Sequence, residues 1–100
     1  MENKKIVLVT GGFDPIHSGH LAMFKEAKKL GDELWVGINS DEWLIRKKGF
    51  RYMSWDERSE IISMMSIVNK IISFNDDDNS SNDAISITKS LSNSNIIFAN

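Results

Sequence analysis

The chain contains no cysteine, which excludes disulfide frameworks, thiolate zinc sites and cysteine nucleophiles. Basic excess is missing too: twelve Lys and Arg stand against fourteen Asp and Glu, a net charge of -2. That balance argues against a wholesale nucleic-acid-binding face, because affinity for a phosphate backbone rests on a basic surface. No apolar run approaches the ~20 residues of a membrane span. Met1–Lys5 leads into only four apolar residues, too few for the core of a signal peptide. What remains is ordinary globular composition, 41% hydrophobic and 26% charged over 100 residues. It suits one domain over residues 1–100, expected to be cytoplasmic and to engage neither nucleic acid nor membrane.

Strands and helices alternate along the chain. Ile6–Val9 is a continuous aliphatic run ending at Thr10-Gly11-Gly12, the pattern of a strand buried on both faces. Leu21, Phe24, Ala27 and Leu30 recur at helical spacing, and Gly31 is the expected stop. A second strand is expected over 34–38. Ser40 is placed to cap a short helix that runs through Arg46, followed by a basic loop over 46–53. Ser54-Trp55-Asp56-Glu57 reads as a capping box for a helix carrying Ile61, Ile62, Met64, Met65 and Val68. A third strand is expected over 71–74, a weaker helix around 84–91 and a fourth strand over 96–99. Asp76-Asp77-Asp78 reads as a solvated turn, and Trp43, Trp55, Met64 and Met65 as packing residues. The order implies right-handed crossovers and an α/β fold, a Rossmann-like parallel sheet with helices on both faces.

Chemistry concentrates between the first strand and the first helix, in Thr10-Gly11-Gly12-Phe13-Asp14-Pro15-Ile16-His17-Ser18-Gly19-His20. Consecutive glycines let a backbone approach an anion, and a helix N-terminus offers N–H groups and a positive dipole end. Two histidines three apart can both face that anion, and Gly19 leaves room for a flat base. The segment is neither G-x-G-x-x-G nor a Walker A loop. A metal site is not expected, because the chain has only these two histidines and Asp14 would need acidic partners from elsewhere.

Gly12-Phe13-Asp14-Pro15-Ile16-His17-Ser18-Gly19-His20 resembles the G-x-F-D-x-x-H-x-G-H signature of the cytidylyltransferase-like nucleotidyltransferases. The likeness continues through Ala27–Leu34, Gly37–Glu42 and Glu57-Arg58. Within the family, the sequence resembles the glycerol-3-phosphate cytidylyltransferases and the heptose-phosphate adenylyltransferases. The resemblance implies transfer of CMP, or else AMP, from CTP or ATP to a small phosphorylated alditol or sugar, with release of pyrophosphate. It implies that His17 and His20 contact the triphosphate, with Thr10, Gly11, Gly12, Phe13, Asp14 and Gly19 forming the nucleotide site. Mg²⁺ on the pyrophosphate is the implied cofactor.

Arg46-Lys47-Lys48-Gly49-Phe50-Arg51 places four cations in six residues. Such a run is either a solvated loop or a cover for an anionic substrate, with Lys47 or Lys48 adding charge in the transition state. Asp41, Arg51 and Arg58 are the expected substrate-binding residues. The plainer readings are a first-turn helix acid for Asp41 and a pair with Asp56 or Glu57 for Arg58. Members of the family continue past the fourth strand with a Ser/Thr-rich motif that is not found in this sequence. A piece of a longer enzyme is therefore expected, ahead of a truncated enzyme or a non-catalytic nucleotide-binding module that works by assembly. An open sheet edge also favours a homodimer.

Overall fold

A computed structural model describes residues 4–92 and 95–99. Eight elements follow one another: β1 Lys5–Gly11, α1 Ser18–Lys28, β2 Glu33–Ile38, α2 Asp41–Lys48, α3 Trp55–Ser63, β3 Lys70–Ser73, α4 Asn82–Ser92 and β4 Asn95–Phe98. The four strands form one parallel sheet in the order β3-β2-β1-β4. Ile6 lies opposite Glu33 and Gly11 opposite Ile38, while Leu8 meets Phe98 on the other side.

Alternation along β1 feeds two cores. Val7 and Val9 join Phe24 and Ala27 of α1 and Ile62 of α3 on one face. Ile6 and Leu8 join Trp35, Ile72, Phe74 and Ala84 of α4 on the other. With both faces covered, the strands need apolar residues at every position, and Ile6–Val9 are all at most 1% exposed. This is the expected α/β Rossmann-like architecture. The chain winds outward from β1 through β2 to β3, then crosses back through α4 to place β4 on the other side of β1, so the strand order reverses at β1. The crevice for a ligand in such sheets lies outside the carboxyl end of the strand at that reversal, which here is Gly11. Among the described residues no helix is long and apolar enough to cross a membrane.

Several expectations shift at element ends. Helix α1 stops at Lys28, leaving Leu30 52% exposed rather than on the buried face. Gly31 is required for a different reason from helix termination: a Cβ there would lie 2.7 Å from Val7 Cγ2 and 2.8 Å from the Lys5 carbonyl oxygen. Helix α2 runs on to Lys48 and ends at Gly49 with φ 83, so Arg46–Lys48 are helical rather than loop. Met65 packs half-buried against the first core, but Met64 is 82% exposed because α3 ends before it. Asp76 is not solvated. It is 2% exposed and accepts from the Asn39 side chain at 3.0 Å and from Ser40 N–H and Oγ at 2.8 and 2.7 Å.

Candidate functional site

The two histidines hold each other in place. His17 is the N-cap of α1, its Nδ1 accepting from Gly19 N–H at 3.0 Å. His20 Nδ1 in turn accepts from His17 N–H at 3.1 Å. This reciprocal cap satisfies donors that a helix start would otherwise leave unpaired. With both Nδ1 atoms acting as acceptors, each neutral ring carries its proton on Nε2, and that edge remains for a ligand. The rings stack with centroids 4.0 Å apart, and Phe13 meets His20 edge-on at 5.1 Å. Burial, and after it the neighbouring His17, hold His20 below the usual imidazole value.

Glycine and phenylalanine shape the turn around this pair. Phe13 takes φ 52 and buries its ring to 4% exposure beneath Gly11, whose Cβ would sit 2.9 Å from the ring. Its side chain is therefore core. A Cβ on Gly12 would come within 2.7 Å of Leu44 and 3.2 Å of Trp43, so glycine admits α2 to the turn. At Gly19 a Cβ would lie 2.8 Å from His17 Cε1. Glycine there leaves room for the capping imidazole.

Asp14 has a different task from the expected nucleotide contact. Its side chain is fully buried, with Oδ2 accepting from Tyr52 N–H at 2.7 Å and the Lys48 ammonium at 2.9 Å, and Oδ1 from Met53 N–H at 2.7 Å. Burial pushes the carboxyl up, but these bonds outweigh it and hold Asp14 below the ordinary carboxylate value. Asp14 thus fastens the α2–α3 connection to the turn between β1 and α1. The two lysines differ in their contacts: Lys48 is bound to Asp14, through its carbonyl as well at 2.7 Å, whereas the Lys47 ammonium lies 5.5 Å from the centroid of the Trp43 ring.

Arg58, expected to reach substrate, is 0% exposed. It donates to the carbonyls of Gly12 at 2.7 Å and Asn39 at 2.8 Å and to Asp41 Oδ1 at 2.7 Å. A guanidinium so occupied has no face for a phosphate; it ties the ends of β1 and β2 to α3. Its acid is Asp41, not Asp56 or Glu57, and Asp41 also faces Arg51 Nε at 3.6 Å. Asp41 thereby lies between two arginines, with its side chain 29% exposed. Thr10 Oγ1 lies 2.8 Å from Ser81 Oγ, which makes it a strut to the segment before α4.

These elements enclose a cleft of about 450 Å³ lined by His17, His20, Gly12, Trp43, Lys47 and Lys48, together with Phe13, Asp14, Pro15 and Leu44. Trp43 is the lining residue that sequence reasoning assigned to the core. Trp55 keeps that assignment, packing half-buried with its Nε1–H on the Ile38 carbonyl at 3.1 Å. The only clue separating the two is position, since Trp43 lies one helical turn before Lys47.

The cytidylyltransferase-like family model matches residues 8–98. The chain belongs to the cytidylyltransferase-like family. Over 73 residues it is 41% identical to an FAD synthase of Thermococcus sibiricus, covering 71% of this chain and 49% of that protein. It is 37% identical over 68 residues to glycerol-3-phosphate cytidylyltransferase of Bacillus spizizenii, covering 68% of this chain and 53% of that one. A third relative, the bifunctional protein HldE of Helicobacter pylori, is 37% identical over 79 residues that make up 77% of this chain and 17% of HldE. The chain thus spans about half or less of these curated relatives. A lipopolysaccharide core biosynthesis protein from Thermoplasma volcanium shares the fold, with a TM-score of 0.71 at 23% identity, covering 97% of each chain.

Proposed function

We propose that this chain supplies the phosphate-handling loops of a nucleotidyltransferase, which moves CMP or AMP from CTP or ATP to a small phosphorylated alditol or sugar. CTP is preferred in this reading. The observation that carries it is the pair of imidazole Nε2 edges left by the reciprocal cap, in one cleft with Lys47. An oxygen of the acceptor phosphate attacks the α-phosphorus, and the bond to the bridging oxygen breaks with its electrons passing to pyrophosphate. The nucleophile is already an anion, so no general base is needed. The work is alignment and the offsetting of charge on the transferring group. His17 and His20 donate from Nε2, the α1 N-terminus adds its dipole, and Lys47 adds a full positive charge.

Mg²⁺ belongs in this reading as part of the nucleotide. Among the described residues no three of His, Asp and Glu come together to hold a metal, and Asp14 and Asp41 are both engaged by cations. The protein carboxylates therefore do not fit a resident metal site, and the ion would be held by phosphate oxygens and water.

The test is a thermal melt with Mg²⁺ and CTP or ATP, paired with pyrophosphate release over a panel of phosphorylated alditols and sugars. A nucleotide at one hundred times its dissociation constant adds about 2.7 kcal/mol. A melt raised by one nucleotide, with turnover lost in His17→Ala, is the expected result. A wild-type melt that neither nucleotide moves refutes the reading. Binding without product on any acceptor would leave a nucleotide-binding module, the second reading, consistent with the chain spanning about half of two of its relatives.

A further inference from the structure

Four cations lie between Arg46 and Arg51, and three are held by oxygen acceptors. Arg46 donates to the Asp76 carbonyl at 2.8 Å and to Asn79 Oδ1 at 3.1 Å. Lys48 is bound by Asp14, and Arg51 faces the Asp41 carboxylate at 3.6 Å. Among the described residues Lys47 alone of the four has neither a carboxylate nor a carbonyl. Its ammonium rests over the Trp43 ring, 5.5 Å from the centroid. Residues at this i,i+4 spacing share one face of a helix.

Trp43 is itself braced. Its ring lies against the backbone at Gly12, where a Cβ would come within 3.2 Å of Cζ3. The indole therefore spans from the phosphate-binding turn to the lysine. A cation–π contact differs from an ion pair in one respect that matters here: it directs the ammonium without neutralising it. At an exposed site it is worth about 0.5–1 kcal/mol, less than a charge-assisted hydrogen bond to phosphate. A lysine so held is oriented, keeps its charge and keeps its N–H groups for a further acceptor.

Building on the proposed transferase reading, we propose that Trp43 is a positioning residue. It holds the Lys47 ammonium across the cleft from His17 and His20, so that its N–H groups can donate to the polyphosphate of the incoming nucleotide while the ammonium stays on the ring. Trp43 touches no reacting atom, and its influence passes through Lys47.

The experiment compares wild type, Trp43→Phe, Trp43→Ala, Lys47→Met and the Trp43→Ala/Lys47→Met double variant. The probes are Mg²⁺–CTP and Mg²⁺–ATP, read by calorimetric Kd and by tryptophan emission. Lys47→Met is expected to weaken binding ~tenfold, the worth of one charge-assisted contact. Trp43→Ala should weaken it about two- to fivefold, because a lysine no longer held over the ring has to be ordered on binding, and Trp43→Phe should restore most of that. The double variant should bind no more weakly than Lys47→Met alone, because both changes remove one linked contact. Nucleotide should shift the emission of wild type and leave that of Lys47→Met nearly unchanged. Additive losses in the double variant, or wild-type affinity in Trp43→Ala while Lys47→Met is weakened, overturn the inference. Failure of the transferase reading looks different: wild type itself then binds neither nucleotide, and the inference falls with it. Trp43→Leu fills the space at Gly12 without a π face and takes the place of Trp43→Ala if that variant does not fold; wild-type affinity in it overturns the inference.

Discussion

Replacing Asp14 by Ala should loosen the α2–α3 connection and lower stability by about 2–3 kcal/mol. The carboxylate accepts three hydrogen bonds, from Lys48, Tyr52 N–H and Met53 N–H, and each bond to a charged group is worth roughly 1.5–3 kcal/mol. Their sum overstates the loss. The Lys48 side chain is 31% exposed and can turn to water, and Tyr52 is 67% exposed, so its amide can be hydrated. Met53 is half-buried, and its N–H would be left without an acceptor at a cost of about 1–3 kcal/mol. Asp14→Asn retains an acceptor for one amide and should lose about half as much. Urea unfolding at pH 7 measures the stability, and hydrogen exchange at the Tyr52 and Met53 amides measures the loosening. Exchange should accelerate at these two amides while α1 and the strands stay protected. An alanine variant as stable as wild type, with both amides still protected, would refute the argument that Asp14 is the fastening between the two loops.

Other expectations follow from the same geometry. His17→Ala removes the N-cap and should cost about 1 kcal/mol, whereas His17→Asn should recover that stability without recovering nucleotide binding; thermal melts and Kd values separate the two roles. Arg58→Met leaves the Gly12 and Asn39 carbonyls and Asp41 without their donor, a loss of about 3–5 kcal/mol for a broken buried pair, read by urea midpoint. Asp14 and Asp76 both titrate below their ordinary value. Their stabilisation is therefore complete above about pH 3.9 and is lost as pH falls through the lower folded values. A melt series from pH 7 to pH 2 should be steeper at its acid end than that of Asp14→Asn. His20 is also held down, so its share is lost as pH falls from about 6.5 through its folded value. A bound triphosphate favours the imidazolium and should raise that value in an NMR titration; no movement would place His20 away from the phosphates.

Much of the frame was legible in the amino-acid order, because its causes are local. Ile6–Val9 is β-branched and aliphatic, too short for a helix and ends ahead of two glycines, the pattern of a strand covered on both sides. The spacing of Phe24 and Ala27, the cap at Ser40 and the alternation of elements together specify a parallel sheet. His17 and His20 lie three residues apart, so their place at a helix start follows from the chain itself. The family signature carried the functional reading for the same reason, since it occupies one continuous segment.

Partnership was not legible, because it is decided between residues far apart in the chain. Nothing near Asp14 indicates that Lys48, Tyr52 and Met53 would consume its carboxylate. Arg58 looks like a surface cation until the ends of β1 and β2 converge on it. Asp76 sits in a run of three acids that reads as solvent-facing, yet the fold brings it against Asn39 and Ser40. The two lysines 47 and 48 are equivalent as sequence. One residue of helix separates their directions by about 100°, and that rotation sends Lys48 to a buried carboxylate and leaves Lys47 on an indole at the cleft. Local pattern determined where the site would form; only long-range packing decided which charges in it remain available to a ligand.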